Sequence, residues 1–103
     1  MSLPSKTEIA IELVRVRGEI DRVATYISDA GWEIQQVTAR RMAAEAIVSG
    51  NFGKEQRQVA RQQLHELRLQ LADLCRRQDR HNQEMQDLKQ TETRLSSQLQ
   101  SAN

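Results

Sequence analysis

The 103-residue chain carries a formal net charge of +1, is 38% hydrophobic and only 3% aromatic. A chain of this length, rich in Gln, Ala, Arg, Glu and Leu with one proline, describes a single small domain of long helices rather than a sheet. Scarce aromatics argue against a walled substrate pocket, the near-cancelled charge against disorder, and the lack of a roughly 20-residue apolar run against a membrane-spanning helix.

The first residues, Met-Ser-Leu-Pro-Ser-Lys, lack a basic region followed by an apolar core, so no secretory leader is expected. With Cys75 the only cysteine, a cytoplasmic setting is expected, and export by a signal-less route stays open. Ser5 and Glu8 then form Ser-x-x-Glu, a capping box that predicts a helix start near Lys6. From there a four-and-three spacing runs through Ile9, Leu13, Val16, Ile20, Val23, Ile27, Ala30, Ile34, Val37, Arg41, Ala44 and Val48, with only Arg41 polar. Such a repeat makes a seam that a partner helix must cover, and it predicts helix 1 over about 6–48. A stop at Asp29-Ala30-Gly31 would give three helices instead. The seam keeps its phase through Gly31, which favours one.

Ser49-Gly50-Asn51-Phe52-Gly53-Lys54 interrupts the pattern. Its glycines and asparagine predict positive-φ positions that end the helix and turn the chain over residues 49–54, with Asn51 or Gly53 as the next cap. The spacing returns over about 54–100 as Ala60, Leu64, Leu67, Leu71, Leu74, Gln78, His81, Met85, Leu88, Glu92, Leu95 and Leu99. Two equal helices and a short turn predict an all-α, antiparallel two-helix coiled-coil hairpin. Counted from a turn at Asn51, facing residues add to about 103. The loop end is expected to pack well, and Gln78, His81 and Glu92 to loosen the far end while setting register.

Helix 1 also carries Ile11, Val14, Ala24, Trp32, Met42, Ala43, Ala46 and Ile47 away from its seam, which one neighbouring helix cannot cover. Exposed apolar patches mark interfaces. The expectation is a non-enzymatic interaction module: a small chaperone, adaptor or assembly subunit that binds a partner's amphipathic helix. The binding residues would be Ile9, Leu13, Val16, Ile20 and Val23, with Ile11 and Val14 as an outer strip. Self-association would give a homodimer, two hairpins making a four-helix bundle.

Other chemistries fit less well. His81 has no histidine or cysteine one helical turn away, so a seam role, hydrogen-bonding across the interface, outweighs metal binding. Cys75 reads as a half-buried structural thiol beside the seam. Gly50 to Lys54 lacks the spacing of a phosphate loop. No carboxylate pair enters a dry site, so no catalytic residue, cofactor, metal or small-molecule substrate is expected. Arg57, Arg61 and Arg68 line up as a stripe that phosphate backbones attract. This supplies the alternative: a small dimeric nucleic-acid-binding regulator, similar in outline to the plasmid Rop type of RNA-binding helical hairpin.

In size and outline the chain is also similar to small export chaperones and stalk proteins of bacterial secretion systems. Trp32-Glu33-Ile34 departs from the Trp-x-Gly turn of the secreted helical hairpins, which sets that group aside.

Overall fold

The computed structural model describes residues 4–101. It consists of two helices, α1 (Lys6–Ser49) and α2 (Lys54–Ser101), with no strand among the described residues. α1 runs through Gly18 and Gly31 without a break. Each glycine costs a helix about 1 kcal/mol relative to alanine, and the apolar seam on either side of Gly31 outweighs that cost.

Both helices start on half of a capping box. At α1, the Ser5 hydroxyl oxygen accepts the Glu8 N–H at 3.1 Å, and the Ser5 carbonyl accepts the Ile9 N–H at 3.0 Å. At α2, Gly53 is the cap: its carbonyl accepts the Arg57 N–H at 3.0 Å, and its own N–H donates to Oε1 of Gln56 at 3.3 Å. A serine supplies the forward bond in one case, and a glutamine three residues on supplies the return bond in the other.

The turn corrects an expectation. No residue in it has positive φ, glycines included. α1 ends with the Gly50 N–H donating to the Ile47 carbonyl at 3.4 Å, a tightened last turn. Gly50 is needed for space rather than for backbone freedom. A Cβ there would lie 2.6 Å from the Ala46 carbonyl oxygen and 2.9 Å from the Phe52 ring.

The chain divides into two compact units. The terminal unit joins the chain up to Ile27 with the chain from Arg80 onward. Its core is Ile9, Leu13 and Val16 of α1 with Leu95 of α2, and Ile20, Leu88 and Leu99 pack against it. The loop unit, Ser28–Asp79, buries Val37 and Ala44 of α1 and Ala60, Leu64 and Leu74 of α2. Cross-helix pairs show that the helix segments run antiparallel within each unit: Arg17 with Glu92 and Tyr26 with His81 in the terminal unit, Gly31 with Gln78 and Glu45 with Arg68 in the loop unit.

These partners all lie later in the sequence than a count from Asn51 gives. Every Cα–Cβ bond leans toward its own helix N-terminus. Residues that touch are therefore each later in sequence than the backbone positions that lie level, which contributes to the offset.

Candidate functional site

Four of the seven residues expected to bind a partner are consumed by the protein's own fold. Ile9, Leu13, Val16 and Val23 are buried, and Ile20 is half-buried against the same core. The expected binding strip is thereby redrawn: only its outer members, Ile11 and Val14, face solvent, at 65% and 70% exposure.

The cause is the apolar seam of α2 on either side of Glu92: Leu88, Leu95 and Leu99 pack with Ile9, Leu13 and Val16. Glu92 is drawn to the seam edge by Arg17, whose Nε donates to its Oε2 at 3.2 Å. His81 does not hydrogen-bond across the interface; its ring tilts against Tyr26 with centroids 5.3 Å apart. Its Nδ1 has no hydrogen-bond partner, the Glu84 Oε1 lying 3.9 Å away. In the loop unit, Gln78 finds room at Gly31, where an added Cβ would sit 3.6 Å from the Gln78 Nε2. Glu92 and Gln78 thus meet suited positions on α1, whereas His81 keeps a covered, unbonded Nδ1.

Large exposed apolar side chains are more numerous in the loop unit. Trp32, Met42, Phe52, Val59 and Leu69 are all large and exposed there. Two of the five residues buried in this unit are alanines, which supply little bulk between the helices. An open groove of ≈ 410 Å³ results, with Ala43, Ala44, Ile47 and Leu67 along it, Arg40 on the α1 wall and Glu66 on the α2 wall. A second groove of ≈ 430 Å³ continues from Ile47 to Phe52 and Val59. Sequence reasoning singled out Trp32, Met42, Ala43 and Ile47 but missed Phe52, Val59 and Leu69. A count of apolar residues off the α2 seam, made as for helix 1, would have found the last two.

Arg57, Arg61 and Arg68 fall on one side of α2, within about 40° of one another at 3.6 residues per turn. They point away from the groove: Arg61 and Gln63, or Arg68 and Glu66, are about 200° apart around the helix. The stripe is uneven. Arg68 lies 3.8 Å from Glu45, which is also 3.6 Å from Arg41. Arg57 is half-buried, with an Nε that is covered and unbonded.

On the α1 surface, Arg15 bridges Glu12 and Glu19. The hydrogen bond from the Arg15 guanidinium, helped by its charge, holds the Glu12 carboxyl below the usual carboxylate range. The same bond, with the charges of Glu12 and Glu19, pushes Arg15 up.

Cys75 is exposed rather than half-buried, because Leu74 takes the seam position and turns its neighbour outward. Among the described residues no three His, Cys, Asp or Glu side chains gather to hold a metal ion. No helix among them is long and apolar enough to cross a membrane. Compared with known protein families, characterised proteins and solved structures, the chain matches none.

Proposed function

We propose that the protein is a non-enzymatic interaction module that shields an amphipathic helix, from a partner protein or from its own copy, in the manner of a small cytoplasmic chaperone, adaptor or assembly subunit. The observation that carries this reading is the loop-unit groove with its rim of exposed Phe52 and Val59. Burying a large aliphatic or aromatic side chain stabilises a complex by roughly 1.5–3 kcal/mol, so a groove lined this way favours any helix that can lay an apolar stripe into it. Ile11 and Val14 form a second, smaller patch on the terminal unit.

A labelled amphipathic Leu/Lys peptide, titrated into dilute protein, tests the proposal. Ala43→Asp with Val59→Asp places two charges on exposed groove positions and is expected to weaken binding by at least about tenfold. Equal binding by wild type and variant, with helix content unchanged, contradicts the reading.

The nucleic-acid alternative draws on one observation, the shared side of Arg57, Arg61 and Arg68. It predicts a salt-sensitive gel shift that charge reversal at Arg57 and Arg61 removes. The absence of any shift at low salt discards it.

A further inference from the structure

The groove walls are charged in opposite senses: Arg40 stands on the α1 side and Glu66 on the α2 side. Both are exposed, and neither has an ion-pair partner among the described residues. Antiparallel order sets the lining from Arg40 to Ile47 against that from Gln70 to Gln63, so Glu66 lies about one helical turn nearer the chain reversal than Arg40. The floor between them is small and apolar at Ala43 and Ala44, which permits close approach of another helix layer.

We infer that the occupant of this groove is a second copy of the chain, related by a twofold axis parallel to the loop-unit helices, with both turns at the same end. This rests on the proposed interaction role and names its partner. Under that symmetry the α1 wall of each copy faces the α2 wall of the other, at the same level. Arg40 of each copy comes within about one helical turn of its partner's Glu66, a separation two long side chains can span, and the contact forms twice. Ala43, Ile47 and Val59 of both copies become the inner layer of a four-helix bundle. A foreign helix lying in the groove would touch a basic wall and an acidic wall at once, whereas a second copy offers the opposite charge to each. That complementarity favours the copy.

The test is complementation between two charge-reversed chains, followed by sedimentation equilibrium at low salt, where screening is weakest. Arg40→Glu alone sets like charges against each other at both contacts, and so does Glu66→Arg alone. Each is expected to weaken the wild-type dimer by about tenfold. An equimolar mixture of the two variants restores opposite charges at both contacts, and is expected to dimerise within about threefold of wild type. A charge effect confined to one chain cannot produce that recovery. A mixture no tighter than either variant alone overturns the inference. So does a monomeric wild type that still binds the Leu/Lys peptide, an outcome that leaves the interaction role standing. A monomer that binds no peptide removes both.

Discussion

A Cβ built on Gly50 would press within 2.6 Å of the Ala46 carbonyl oxygen, whereas one on Gly18 meets nothing within 4 Å. The two glycines should therefore answer an alanine substitution with opposite signs. Gly18→Ala is expected to stabilise the protein by about 0.5–1 kcal/mol, the ordinary gain at a helix interior. Gly50→Ala is expected to destabilise by about 1–3 kcal/mol, the usual range for overpacking. Urea unfolding followed by circular dichroism checks both. A second pair separates folding from docking. Val16 is 1% exposed and Val14 70% exposed. Val16→Asp buries a charge in the terminal core and should cost on the order of 3 kcal/mol or more. Val14→Asp should change stability by no more than about 0.5 kcal/mol. If both variants unfold at the same urea concentration, the assignment of Val16 to the interior is wrong.

At the scale of elements, the Arg15 bridge on α1 makes a pH prediction whose sign is fixed. The Glu12 carboxyl is held low by Arg15, so its folded value lies below its unfolded one. Its contribution to stability is present above the usual carboxylate range and is lost as pH falls through the lowered value. In an NMR titration, Arg15→Gln should move the Glu12 carboxyl upward toward ordinary behaviour. An unmoved titration would mean the bridge is not formed in solution.

Much of the element level was legible in the chain itself. The four-and-three spacing placed both helices, and Ser5-x-x-Glu8 marked the start of α1. Less legible was the turn, because glycine and asparagine announce a reversal without saying whether freedom or space is required. The binding surface was misplaced for a related reason. Heptad positions state which residues face a neighbouring helix, and Ile9, Leu13 and Val16 do so, but facing α2 removes them from the surface. The settings of Gln78, His81 and Glu92 were not legible because their neighbours, Gly31, Tyr26 and Arg17, lie on the other helix at a register the spacing alone does not give.

At the scale of the molecule, a net charge of +1 offers little long-range repulsion against association, and the exposed apolar side chains of the loop unit offer a reason for it. If a second copy covers them, stability becomes concentration-dependent, because a partner that binds only the folded state adds to its free energy. Thermal unfolding midpoints should rise with protein concentration for wild type and stay flat for the Ala43→Asp, Val59→Asp variant. The most direct measurement is light scattering across a broad concentration series. The groove reading predicts a mass that climbs from that of one chain to that of two for wild type, and stays at one chain for the variant with its helical signal intact. A wild-type protein that remains a folded single chain at the highest concentration and leaves the amphipathic peptide unbound would contradict it.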